Sequence, residues 1–184
     1  MTLYHNKYRV ETTRLKGWDY TSDGYYFVTI CTHNREHLFG HIQHGQMVLN
    51  PYGQIVENGW NDLPNHYPNI RLDAFCVMPN HIHGIIVIDN GTMDERPGMV
   101  ETGLKPVSTN TSSKRHGLFE MVRALKTFSA RRINELRGTV GQPVWQSRFH
   151  DHIIRNDTAL QQIRQYISNN PQTWDNDVMN RCQM

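Results

Sequence analysis

The sequence predicts an α+β domain: a mainly antiparallel sheet with helices packed on it. Three observations predict it. β-Branched and aromatic runs recur at 25–33, 70–78 and 85–88, which is strand composition. Two stretches, 118–137 and 157–170, carry apolar residues at three- and four-residue intervals, the period of an amphipathic helix. The third is the two-residue turn Pro79-Asn80 between two long apolar strands, a joint short enough to require antiparallel pairing.

At 184 residues, 38% of them apolar and 20% charged, the chain is sized and composed for one globular core. The expected organisation is an irregular arm over 1–24, a single domain over 25–174 with a flexible loop at about 89–113, and a tail over 175–184. No apolar run reaches membrane-spanning length, and Met1 to Arg14 lacks the apolar centre of a signal peptide, so a cytoplasmic protein is expected. Cys31, Cys76 and Cys182 are odd in number, far apart and without a CxxC pair. Neither a disulfide framework nor a cysteine zinc site is indicated, and Cys31 and Cys76 read as small core residues.

In chain order, Thr21-Ser22-Asp23-Gly24 turns the arm into a first strand, 25–33, and Met47-Val48-Leu49 reads as a short second strand. Pro51 suits a helix start, with Ile55, Trp60 and Leu63 as its buried side and an end near Asn65. The strand 70–78 follows, then the turn and the strand that begins at His81. Gly91, Pro97, Gly98, Gly103, Pro106 and a Ser/Thr/Asn run leave 89–113 with little to bury. The helix 118–137 has a seam of Leu118, Val122, Leu125, Ile133 and Leu136; after the turn 138–143, residues 144–154 read as the last strand. Asn156 or Asp157 caps the final helix, Leu160, Ile163 and Ile167 form its apolar stripe, and Pro171 marks its stop.

Two segments carry chemistry. In His81-Ile82-His83 the period of two sends both imidazoles to one strand face, where they could grip one metal ion; His-x-His alone also fits surface or core histidines. In the last helix Tyr166 and Asn170 lie one turn apart. Read alone, that pair is a packing tyrosine with a wet hydroxyl and a helix-end amide. His150-Asp151-His152 is a rival His-x-His, with a charged residue between its histidines. Arg148, His150 and His152 would share one face there.

Together, His81-Ile82-His83 and Tyr166 with Asn169-Asn170-Pro171 resemble the HUH single-strand endonucleases, in particular the single-tyrosine repeat-associated tyrosine transposases of bacteria, relatives of the insertion-sequence transposases. The likeness runs from about Gly24 to Trp174 and includes Tyr26-Phe27-Val28-Thr29-Ile30-Cys31, Leu72-Asp73-Ala74-Phe75 and Trp145-Gln146. It implies a ferredoxin-like palm with a central histidine strand. It also implies a divalent cation, Mg2+ or Mn2+, held by His81, His83 and Asn170, and Tyr166 as the nucleophile. The implied reaction is cleavage of single-stranded DNA beside a repetitive extragenic palindrome hairpin, leaving a 5′-phosphotyrosyl end and a free 3′-hydroxyl that can reverse the step. A monomer acting in cis is the expected state, a dimer the alternative.

From Lys114 to Arg164 there are ten Lys or Arg against four acids, a net of +6, which leaves −4 for the rest of a chain of formal charge +2. Such a split suits a phosphate-binding surface, and equally a solvated helix face. The candidate DNA contacts are Lys114, Arg115, Arg123, Lys126, Arg131, Arg132, Arg148, His152 and Arg155, of which Arg123 and Lys126 lie with Arg137 on one helix flank. The competing reading from another class is a non-catalytic hairpin-binding or regulatory protein derived from such a transposase. A nucleoid-associated location follows from either.

Overall fold

Every residue of the strand His81–Ile88 is buried, because it lies inside a sheet covered on both faces. The computed structural model describes residues 14–91 and 115–180. In order they form β1 (Gly24–Cys31), β2 (Gly40–Gln43), β3 (Gln46–Leu49), α1 (Pro51–Asn61), α2 (Leu63–His66), β4 (Ile70–Met78), β5 (His81–Ile88), α3 (Leu118–Arg137), β6 (His150–Ile154) and α4 (Asp157–Thr173), with short 3-10 turns at His33–Arg35, Trp174–Asn176 and Val178–Asn180. The four-stranded sheet has the order β4-β5-β1-β6, all neighbours antiparallel, and β2-β3 is a separate hairpin. This is the expected α+β architecture with the histidine strand inside the sheet. Among the described residues no helix is long and apolar enough to cross a membrane.

Strand alternation divides the core in two. Tyr26, Val28 and Ile30 of β1 and Ile82, Ile86 and Ile88 of β5 face α1 and α3, where they meet Val56, Trp60, Leu118, Val122, Leu125 and Ile133. Ile85 and Val87 face the other way and pack with Ile154, Leu160 and Ile167 under α4. His81 and His83 share that second face by the same alternation. Between the histidines and Ile85, Gly84 permits a close approach: a Cβ there would lie 2.4 Å from the Trp60 indole, which stacks on Phe75 at 4.5 Å.

Several boundaries differ from the expectations, each for a local reason. The helix expected to reach Asn65 breaks after Asn61, because Pro64 has no N–H and its ring collides with the preceding turn; Asn50, unforeseen, caps its start through bonds from the Tyr52 and Gly53 N–H groups. Val56 occupies the inner position expected of Ile55. β6 covers only the end of 144–154, since Lys126 Nζ captures the Gln146 carbonyl at 2.6 Å and reaches that of Ser147 at 3.2 Å; Trp145 keeps a single bridge to Thr32. α4 runs past Pro171 to Thr173. Only one intrahelical bond is lost to the missing N–H, and the Thr173 hydroxyl donates to the Asn169 and Asn170 carbonyls.

Leu136, expected in the α3 seam, is 58% exposed in its last turn. Cys31 and Cys76 are free and partly buried, Cys76 packing at the edge of the second core, while Cys182 lies outside the described residues. The arm is anchored where it is described: Tyr20 is buried in the first core, and its carbonyl accepts from Leu118 N–H. Most of the expected loop at 89–113, and residues 181–184, lie outside the described residues.

Candidate active site

α4 brings Tyr166 to the histidines, and three features place α4. Asn156 Oδ1 accepts from Ala159 N–H at 2.8 Å and starts the helix immediately after β6. Leu160 and Ile167 bury its apolar stripe in the second core. Arg164 grips Asp73 with two bonds, Nε to Oδ1 at 2.8 Å and Nη2 to Oδ2. Asp73 sits at an irregularity between Leu72 and Phe75, where β4 shifts register against β5, so its carboxylate is free of the ladder's regular course and meets the helix. The Arg164 guanidinium holds that carboxyl below the usual range. In sequence neither residue stands out from other surface charges.

The resulting cluster is tight. His81 Nε2 and His83 Nε2 are 3.0 Å apart, and Tyr166 Oη lies 3.2 Å from His83 Nε2. Phe27 stacks on the His83 ring at 5.4 Å and stands edge-on to Tyr166 at 6.2 Å. Thr29 Oγ1 meets His83 Nδ1 at 2.8 Å, and Asn80 Oδ1 meets His81 Nδ1 at 2.7 Å. Trp174, the last residue of the expected domain, packs 5.9 Å from the His81 ring. Sequence reading missed Phe27, Thr29 and Asn80. The first two were accessible through the period of two: β1 pairs Thr29 with His83 and Phe27 with Ile85, putting both on the histidine face.

Burial dominates the electrostatics. It pulls both imidazoles down, each to about 3, so both are neutral at pH 7. Burial and the Asp177 carboxylate raise the Tyr166 phenol above its ordinary value, although the ring is 46% exposed. One turn beyond Tyr166, Asn170 is 1% exposed; its amide lies close enough to the Tyr166 hydroxyl to favour the ionised phenol slightly, but among the described residues neither its Oδ1 nor its Nδ2 makes a hydrogen bond of regular geometry.

These residues fit a divalent cation. Neutral imidazoles are the ligand form of histidine, and nitrogens 3.0 Å apart have the spacing of adjacent ligands at bond lengths of about 2.1 Å and a right angle. The buried Asn170 amide offers an oxygen of the kind Mg2+ and Mn2+ accept. Among the described residues no three His, Cys, Asp or Glu side chains converge as a metal cluster.

The candidate DNA contacts are dispersed. Lys114 lies outside the described residues. Arg123, Arg131 and Arg132 are exposed on α3, which packs on the sheet face opposite the histidines; Arg132 lies over the Phe128 ring. Lys126 is committed to the Gln146 and Ser147 carbonyls, which removes it from the exposed flank expected of it. Arg115 lines a hollow of about 570 Å³ with Trp18 and Arg123. His152 and Arg155 line another, with Arg14 and Lys16, along the outer strand β6. Arg148 is exposed just before it. His150 and His152 are both exposed on the histidine face with buried Asp151 between them.

No family model matches the chain. An uncharacterized protein of Haemophilus influenzae is 39% identical over 171 residues, covering 90% of each chain. A second protein of that organism, provisionally named a REP-associated tyrosine transposase, is 26% identical over 83% of this chain and 73% of its own. Among solved structures, a REP-associated tyrosine transposase bound to a REP hairpin superposes on 89% of this chain and 73% of its own, with a TM-score of 0.54 and 21% identity. The chain belongs to one family with the 39% identical Haemophilus influenzae protein, and in sequence and fold it is a relative of the REP-associated tyrosine transposases.

Proposed function

We propose that this chain binds hairpin DNA and cuts and rejoins the adjoining single strand through Tyr166, with His81, His83 and Asn170 holding Mg2+ or Mn2+. The observation that carries the proposal is the convergence, within one chain, of the Tyr166 hydroxyl on His83 Nε2 at 3.2 Å, with His81 Nε2 facing His83 Nε2 at 3.0 Å. The hairpin partner is proposed from the fold neighbour, which is described as bound to one. Formation of the site by one chain supports action in cis.

Tyr166 Oη would attack phosphorus; the new bond is Oη–P, the broken bond is P–O3′, and the 3′ oxygen leaves to become a hydroxyl. Because phosphoester energy is kept in the phosphotyrosine, the same hydroxyl or another can reverse the step. The phenol is protonated at neutral pH, its ionisation opposed by burial, so its proton must leave as the bond forms. A bound divalent ion would supply Lewis-acid polarisation of a non-bridging oxygen and ease ionisation of a nearby phenol. Phe27, stacked on His83, limits the freedom of that ring and keeps water from its face.

The test is a denaturing gel of end-labelled single-stranded hairpin DNA incubated with protein and Mn2+ or Mg2+, beside EDTA and Tyr166→Phe controls. A retarded covalent band that needs both the ion and Tyr166 is the expected result. Hairpin binding without that band, across varied flanking sequences, would replace this reading with the non-catalytic hairpin-binding protein.

A further inference from the structure

We propose that the Asn80 side chain is the positioning group that fixes which nitrogen of His81 is bare, so that a lone pair faces His83, and that it does so from outside the reacting cluster. The inference rests on the cation-binding reading of the histidine pair.

The argument starts at the amide. Asn80 is 1% exposed, and its Nδ2 lies 2.7 Å from the Met179 carbonyl and 3.3 Å from that of Arg35. Both neighbours are acceptors, so the group facing them is the NH2 and the group facing His81 is the oxygen. An amide oxygen only accepts; therefore His81 Nδ1, 2.7 Å away, carries the hydrogen. A neutral imidazole has one hydrogen, which leaves Nε2 bare and turned toward His83 Nε2 at 3.0 Å.

His83 is held differently. Its Nδ1 partner is the Thr29 hydroxyl at 2.8 Å, which rotates and can donate or accept. Without a cation, the arrangement that satisfies both rings has Thr29 donating to His83 Nδ1 while His83 Nε2–H donates to the bare Nε2 of His81. To offer both Nε2 lone pairs to a cation, His83 would give up its Nε2 proton and carry one on Nδ1 instead, and the Thr29 hydroxyl would turn to accept it. The exchange at His83 balances, with no net proton released. Asn80 is thus the fixed orienter of one ligand and Thr29 the adaptable orienter of the other. The Asn80 bonds also join three chain segments at the site: the 3-10 turn His33–Arg35, the start of β5 and the 3-10 turn Val178–Asn180.

The experiment is two-dimensional NMR of 15N-histidine-labelled full-length protein in EDTA, read for the hydrogen-bearing nitrogen of each ring, and repeated with saturating Mg2+. The intact chain should give Nδ1–H for His81 in both conditions, and Nε2–H for His83 changing to Nδ1–H with the ion. Asn80→Ala should release His81 to mixed tautomers and weaken Mn2+ binding, measured by titration calorimetry, about 10- to 100-fold, with hairpin binding retained as the sign that the fold survives. Nε2–H on His81 in the intact protein, or an unchanged His81 signal in Asn80→Ala, would overturn the proposal. Because the EDTA spectrum needs no ion, a correct tautomer with no ion bound would refute the cation reading and leave the Asn80 assignment standing.

Discussion

Replacing Asn170 by leucine should make the protein more stable while disabling its response to cations. Asparagine and leucine side chains have the same number of heavy atoms, so α4 can carry either at this 1% exposed position. As the chain stands, the two polar atoms of the amide are buried without a hydrogen bond of regular geometry among the described residues, its contact with the Tyr166 hydroxyl being a weak one, at a cost of about 1–3 kcal/mol each. Leucine removes that cost and is the better helix former by about 0.5 kcal/mol; fitting its bulkier methyl groups returns about 1–3 kcal/mol. The terms centre on a gain of about 2.5 kcal/mol, or about 5–10 °C in melting temperature for a chain of this length. Scanning calorimetry in EDTA measures it. With Mn2+ at 100 times its dissociation constant the original protein should gain about 2.7 kcal/mol, and Asn170→Leu should lose most of that gain. A lower melting temperature for the variant in EDTA, or an undiminished Mn2+ response, would refute the claim that this amide is kept unpaired for a ligand.

Three further perturbations probe the scaffold. Gly84→Ala places a Cβ 2.4 Å from the Trp60 indole; the ring must retreat by about 1 Å from its stack on Phe75, and calorimetry should show a loss of about 2–4 kcal/mol. Asp73→Asn halves the clamp on Arg164 and should cost about 1 kcal/mol at pH 7; because Arg164 lowers the Asp73 pKa, that stability is present above the ordinary carboxylate value and lost as pH falls through the lower folded one, so the melting-temperature gap between the two proteins should close below pH about 4. The histidines titrate near 3 when folded and at the ordinary 6.5 when unfolded, so the unfolded chain binds more protons between those values. Urea unfolding in EDTA should find stability falling below pH 6.5 by about 1.4 kcal/mol per unit for each histidine, and His83→Gln should roughly halve the slope; equal stability at pH 7 and 5 would contradict the burial argument.

Where one kind of physics acted alone, the sequence was readable. β1, β4, β5, α3 and α4 are long and periodic, and the period of two is enough to put His81 and His83 on one face. The hairpin β2-β3 was half missed because β2 offers only Gly40 and Ile42 as half-buried positions, and its turn places His44 and Gly45 at positive φ without the usual Asn-Gly signal. The shortening of β6 depended on a lysine twenty residues earlier finding two carbonyls. Asn80 resembled any turn asparagine, because its role depends on acceptors from Arg35 and Met179, which only the fold brings together. The same limit applies to the basic residues: their number was legible, but not that α3 would carry Arg123, Arg131 and Arg132 to the face away from Tyr166.

The position of Tyr166 over the two histidines depends on where the sheet is regular and where it is not. β5 and β1 pair without a shift from Gly24↔Ile88 to Cys31↔His81. A slip of one residue there would turn both histidines into the α1 and α3 core and Ile82 and Gly84 toward Tyr166, a change opposed by every apolar residue of β5. The irregularity is confined to the outer strand β4, between Leu72 and Phe75, where it leaves Asp73 available to Arg164. Regular pairing therefore holds the imidazoles, and the break in pairing holds the tyrosine helix over them. The 3.2 Å approach of Tyr166 Oη to His83 requires both: with Asp73 removed, the helix keeps its apolar stripe but loses the polar clamp two residues before the tyrosine.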